Sequence, residues 1–116
     1  MEVSMKKATA LLIVLLFFCG CSLFDTSYDV EYKVTGTAIK VDITIENEDG
    51  GTSQYDDVSV PWSYAFKGEP GDFVYVSAQN QGQTGTVTAT IYRDGEIFKT
   101  STSSGAYVIA TASGTL

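Results

Sequence analysis

The chain has 116 residues, a net charge of −7, no histidine and two cysteines. That charge disfavours nucleic acid and anionic lipid headgroups as partners. The missing histidine removes the commonest general base, and the two cysteines, both close to the N-terminus, leave no thiol nucleophile elsewhere.

The N-terminal stretch "MKKATALLIVLLFFCGC" begins with Lys6 and Lys7 and continues as an apolar run over residues 8–18. The run is shorter than the roughly 20 residues needed to span a bilayer and has the length of a secretory signal core. Signal peptidases require small residues before the cut. A cut before Cys19 would follow bulky Phe18, whereas a cut before Cys21 follows Gly20. "FCGC" therefore resembles a bacterial lipobox, with Phe18 standing where leucine is usual. The reading is a signal peptide over residues 1–20, a lipidated Cys21, and a tether ending at residue 27. One acyl chain binds a membrane only marginally, and the two or three chains of a lipoprotein make attachment lasting. The seven tether residues reach roughly 23 Å when extended. Ser22 follows the anchor where aspartate would signal inner-membrane retention. The expected location is the extracytoplasmic face of the envelope, on the outer membrane where two membranes exist.

Removing residues 1–20 leaves 96 residues with five basic and thirteen acidic side chains, a net charge near −8. That is enough for one modest core. Residues 28–116 alternate with period two. Tyr28, Val30, Tyr32 and Val34 form one face of the first strand; Ile39, Val41, Ile43 and Ile45 are expected inward in the second. "DDVSVPWSYAFKG" is a third segment interrupted by Pro61, which places it at an edge or bend. Val74, Val76 and Ala78, then Val87, Ala89 and Ile91, line two more, and "EIFKTST" and "AYVIATA" complete the series. Asp49-Gly50 and Asp94-Gly95 are hairpin signals, and Pro70-Gly71 suits a type II turn. About seven short strands without helical periodicity predict an antiparallel immunoglobulin-like β-sandwich. A small closed barrel is the alternative.

Candidate binding residues fall in two places. "PWSYAF" sets Trp62, Tyr64 and Phe66 on one face, where aromatics stack sugars or form a protein contact, or fill a core. "SAQNQGQTG", residues 77–85, supplies amides from Gln79, Asn80, Gln81 and Gln83, or is simply a hydrophilic connection. Glu46, Glu48, Asp49, Asp56 and Asp57 carry the oxygen ligands Ca²⁺ takes, but without EF-hand spacing; solvated turns are the simpler account. The hydroxyls of residues 101–104 have no base to activate them, and a pairing with Lys99 has no supporting motif. No catalytic residue, metal ligand or cofactor is assigned.

The order of "YKVTGTA", "VDITIENEDGGTSQ", "VSVPWSYAF", "VSAQNQGQTGTVTATIYRDG" and "TSSGAY" resembles the mycobacterial membrane protein small family, MmpS, and its lipoprotein relatives. The resemblance covers residues 28–110. It implies an extracytoplasmic β-sandwich and an accessory role beside RND-type exporters of lipids and siderophores. Two departures stand out: a lipobox replaces the family's transmembrane helix, and the C-terminal half lacks the cysteine pair many members carry. The leading expectation is a non-catalytic envelope lipoprotein that contacts a membrane-proximal protein, an RND-type transporter by resemblance, through a sheet edge or residues 77–85. The second is a lipoprotein that binds a small ligand or glycan.

Overall fold

The computed structural model describes residues 26–116, so Cys19, Cys21 and the signal segment lie outside the described residues. Alternating apolar and polar side chains become eight strands: β1 Tyr28–Gly36, β2 Val41–Glu46, β3 Thr52–Val58, β4 Trp62–Gly68, β5 Phe73–Asn80, β6 Thr86–Arg93, β7 Glu96–Ser104 and β8 Ile109–Thr115. They form two four-stranded antiparallel sheets, ordered β4-β1-β6-β7 and β3-β2-β5-β8. The hairpins β2–β3 and β6–β7 stay within a sheet, and every other connection crosses between the sheets. The count exceeds the expected seven because Pro61 divides one apolar segment into β3 and β4, which belong to different sheets. Proline has no N–H to continue a ladder, and the Val60–Pro61 bond is cis.

One core lies between the sheets. Val30, Tyr32, Val34, Val87, Ala89 and Ile91 enter it from the first sheet; Val41, Ile43, Ile45, Val74, Val76, Ala78, Ala110 and Ala112 enter it from the second. Its thickness is uneven. Backbones of β6 and β8 approach within 8 Å, and the buried side chains at that flank include Ala78, Ala89, Ala110 and Ala112. A methyl group at Gly114 of β8 would lie 2.9 Å from the Phe98 ring and 3.0 Å from the Lys99 chain, so β8 sits hard against β7. The Ser103 hydroxyl donates to the Ile109 carbonyl at 2.8 Å and helps cover the β8 edge. At the opposite flank the filling is aromatic: Tyr55, Trp62, Tyr64 and Phe66 pack in a row against Tyr32.

Tyr32 couples the sheets. It is fully buried on β1. Its hydroxyl crosses the core, donates to the Glu46 carbonyl at 2.7 Å and accepts from the Tyr75 N–H at 3.2 Å. The β2–β5 register ends at Ile45 opposite Val76. The phenol thus stands where the next ladder bond, between Glu46 and Tyr75, would form.

Several local features depart from the sequence reading. Ile39, expected inward, is 82 % exposed, and Ala38 is the residue buried there. The reversal occurs because residues 37–40 form a connection between the sheets. There Thr37 and Ala38 both donate to the Thr86 carbonyl, which breaks the strand alternation. Gly36 makes that approach possible: at φ 136° any side chain would meet the Thr86 carbonyl oxygen at 2.2 Å. Asp94-Gly95 forms the expected tight turn, with positive φ at both residues. Asp49-Gly50 instead belongs to a longer loop, residues 47–51, in which the Asn47 side chain accepts from the Asp49 and Gly51 N–H groups. On β3 the register shifts opposite Asp42, and Asp57, at φ 60°, donates its N–H to the Asp42 carboxylate. A bulge carrying acidic residues discourages pairing at this edge.

Tyr32→Phe keeps the ring but strands the Tyr75 N–H and the Glu46 carbonyl. The expected loss is about 1–3 kcal/mol, read as a lower urea midpoint with unchanged slope. Burial first, then the nearby Glu46 and Tyr64, pushes the Tyr32 phenol up to about 12, against the Tyr75 N–H bond. The unfolded phenol titrates near 10. Its stabilisation is therefore complete below pH 10 and declines toward pH 12. Across that window the stability gap between wild type and Tyr32→Phe should narrow.

Candidate functional site

Three surfaces combine side chains in ways that bear on recognition. The first is the flank between edge strands β3 and β4. Trp62, Tyr64 and Phe66 point inward from β4, each half-buried. Trp62 and Tyr64 stack nearly parallel at 6.4 Å, and Trp62 meets Tyr55 at 5.2 Å. Because β4 is an edge strand, the indole closes the side of the core and does not sit at its centre. The Tyr64 hydroxyl donates to the Glu48 carboxylate. That bond holds Glu48 below its ordinary value and pushes Tyr64 up to about 12.

The second surface is the end of the domain formed by residues 37–40, 59–61, 81–85 and 105–108. Here the amide-rich segment divides. Residues up to Asn80 complete β5, and only 81–85 form a loop. Asn80 is fully buried. Both hydrogens of its amide are used, on the Thr84 and Gly105 carbonyls at 2.9 Å, and its oxygen accepts from the Gly82 N–H at 2.8 Å. Its side chain fastens two loops together. Gln79 donates to the Tyr107 carbonyl at 3.0 Å, and Gln81 donates to the Asp42 carboxylate. Gln79 and Gln81 thus lie at the surface beside Tyr107, while Asn80 lies beneath them. Tyr107 has φ 56°, a region bulky residues rarely adopt, yet the residue is 52 % exposed. Its N–H is held by the Gly82 carbonyl at 3.1 Å. Ile39 and Ile109 are exposed at the same end.

The third surface is the outer face of β4-β1-β6. Ala65, Glu31 and Tyr92 form one row across three strands, with Lys67–Asp29 below and Ser63–Lys33 above. The small side chain of Ala65 leaves a shallow concavity of about 700 Å³, lined also by Lys33, Lys67 and Gly95. Asp29 and Lys67 are paired at 2.6 Å on its rim, and the Lys33 ammonium lies 5.7 Å from the Tyr92 ring centre.

The acidic residues considered for Ca²⁺ are distributed between the 47–51 loop region and the β3 bulge. Among the described residues no three His, Cys, Asp or Glu side chains gather to hold a metal ion. Tyr107 and the Ala65 concavity were not recognisable as sites in the sequence. A positive φ on tyrosine has no sequence signal, although "SSGAY" marks a turn. The concavity requires knowing that β1 lies between β4 and β6.

Neither a scan against protein-family models nor a search of curated proteins finds a match to this chain.

Asn80→Ala is expected to lower stability by about 1–3 kcal/mol, because three part-buried backbone groups lose their partner. Gln83→Ala, at an exposed position, should change it by under about 0.5 kcal/mol; chemical denaturation reads both. In Tyr64→Phe, an NMR carboxyl titration should find Glu48 shifted up toward the ordinary glutamate value. An unchanged Glu48 midpoint would mean that another group holds it down.

Proposed function

We propose that this chain is a lipid-anchored, non-catalytic envelope lipoprotein whose domain is an immunoglobulin-like interaction module. The strand order supports the fold reading. Lettered by position, the sheet β3-β2-β5-β8 matches C′-C-F-G and β4-β1 matches E-B, with one departure: the β6–β7 hairpin comes between β5 and β8 in the chain and lies beside B in the other sheet. The lipobox-like "FCGC" supports the anchor at Cys21, and the absence of histidine from the chain supports a non-catalytic role.

The observation carrying the proposal is the opposition of the domain's two ends. The chain comes in at Tyr28, whereas Tyr107, Ile39 and residues 81–85 lie past the far end of β1. Nine residues of strand separate the ends by roughly 27 Å. The near end carries Asp29, Glu48, Asp49, Glu69, Asp72, Asp94 and Glu96 against Lys67 and Arg93, a net negative charge, while residues 81–85 and 105–108 carry no charge. Anionic headgroups repel the near end. The anchor and this repulsion together direct the uncharged loops outward. A contact through residues 81–85 then lies up to about 50 Å from the anchor, the extended tether added to the strand length. It is farther from the membrane surface than the short tether alone implies. A partner of that reach fits the extracytoplasmic part of a membrane transporter, the role the MmpS resemblance implies.

Cys21→Ala should abolish incorporation of a palmitate analogue, and Cys19→Ala should leave it intact. Labelling that persists in Cys21→Ala would overturn the anchor. Photoreactive residues at Gln81, Gln83 and Tyr107 should give a discrete membrane-protein adduct, and those at Glu69 and Asp94 should not. Tyr107→Gly relieves the backbone strain and should stay within about 1 kcal/mol of the parent, yet lose the adduct formed from Gln83. Adducts only from the acidic end would reverse the proposed orientation.

A further inference from the structure

The concavity on the outer face of β4-β1-β6 is built unlike the rest of that face. Above it, where the sheet continues from β6 to β7, short hydroxyls pair with each other, Thr88 with Thr102 at 2.8 Å and Thr90 with Thr100 at 3.0 Å. Those rows satisfy their own hydrogen bonds. In the Ala65–Glu31–Tyr92 row the pattern changes to a methyl group, a carboxylate and an aromatic ring side by side. Ala65 is the shortest side chain pointing outward from β4, between Ser63 and Lys67. It forms the floor; Tyr92, half-buried, stands across from it.

The chemistry of the lining restricts the occupant. Much of it is carbon: the Ala65 methyl, the Tyr92 ring and the stems of Lys33 and Lys67. The rim holds two carboxylates, Asp29 and Glu31, and two ammonium groups, Lys33 and Lys67. The charges balance, so a ligand of either sign meets one repelling pair. A neutral ligand with many hydroxyls uses both kinds, donating to the carboxylates and accepting from the ammonium groups. It also needs an apolar face for the ring. A pyranose combines these features, with C–H groups on its face and hydroxyls around its edge. The volume, about 700 Å³, falls in the range of small-ligand sites and takes more than one sugar ring.

We propose that this concavity binds a neutral oligosaccharide. Tyr92 stacks on one sugar ring, Glu31 accepts from its hydroxyls, and Lys33 swings from the Tyr92 ring to donate to the ligand. Lys67, held by Asp29, closes the side toward the β6–β7 turn. The site is separate from the loops at the far end, and neither the anchor nor the protein partner is needed for it.

The test uses the full ¹⁵N-labelled chain in a detergent without a sugar headgroup, titrated separately with chitotriose and cellotriose. Amide shifts should saturate at Glu31, Lys33, Ala65, Tyr92 and Gly95, with Kd on the order of 1 mM, an affinity accessible to few contacts. Ala65→Leu fills the floor and should weaken binding at least about tenfold, which corresponds to about 1.4 kcal/mol. Tyr92→Thr keeps a strand-favouring residue, removes the ring and should do the same; it serves if Ala65→Leu disturbs the spectrum beyond the site. Three results would overturn the proposal: no saturable shift with either sugar, shifts confined to residues 81–85 and 105–108, or unchanged affinity in a folded variant.

Discussion

The buried hydroxyl of Tyr32 governs how the two sheets can stand. A phenol inside an apolar core needs partners, since an unpaired polar group there is unfavourable by a few kcal/mol. Tyr32 finds them on the opposite sheet, at Glu46 and Tyr75. The bonds have fixed lengths, so the phenol sets the distance between β1 and the β2–β5 pair. That distance exceeds what alanine and valine can fill, and Tyr55, Trp62, Tyr64 and Phe66 occupy the remaining space. Where β6, β7 and β8 converge, small side chains fill the interior and Phe98 of β7 packs over Gly114. The core is therefore a wedge, with a row of aromatics at the wide flank and mostly aliphatic side chains at the narrow one.

The wedge explains which side chains remain available for recognition. Trp62 and Tyr64 are absorbed into closing the wide flank. Asn80 is similarly absorbed, because loops that cross between the sheets need their backbone groups satisfied and its amide reaches three of them. Among the side chains that remain outward are Tyr107, held in its conformation by Gly82 and Gln79, and the row that contains Ala65. In this account the first faces a protein and the second a sugar. They lie on different parts of the domain, one among the loops and one on a sheet face.

Much of the architecture was legible in the sequence because strict alternation has one physical meaning. Val30 to Val34, Val74 to Ala78 and Val87 to Ile91 all face the core as their spacing requires. Asp94-Gly95 turns as its residue types require. The failures share a cause. Ile39 continues the β2 alternation on paper, but the chain leaves strand geometry just before it to follow the Thr86 carbonyl. Asn80 reads as a loop amide because its partners, Thr84 and Gly105, come from two different connections. The aromatic run at Trp62 reads as core first and as a platform second, and its place at the margin of the core follows only once β4 is known to be an edge. Each case depends on which distant segment becomes a neighbour, and local pattern does not contain that information.

The central claim is that the Tyr32 phenol holds the two sheets together and is not merely accommodated between them. Native-state hydrogen exchange at the Tyr75 amide tests it most directly, since that N–H is bonded to the phenol alone across the core. If the claim is right, the Tyr75 amide exchanges only through global unfolding, with the same opening free energy as the adjacent Val76 amide. Fast exchange of Tyr75 beside a fully protected Val76 would show that the phenol releases its partner while the sheets stay together, and would contradict the account.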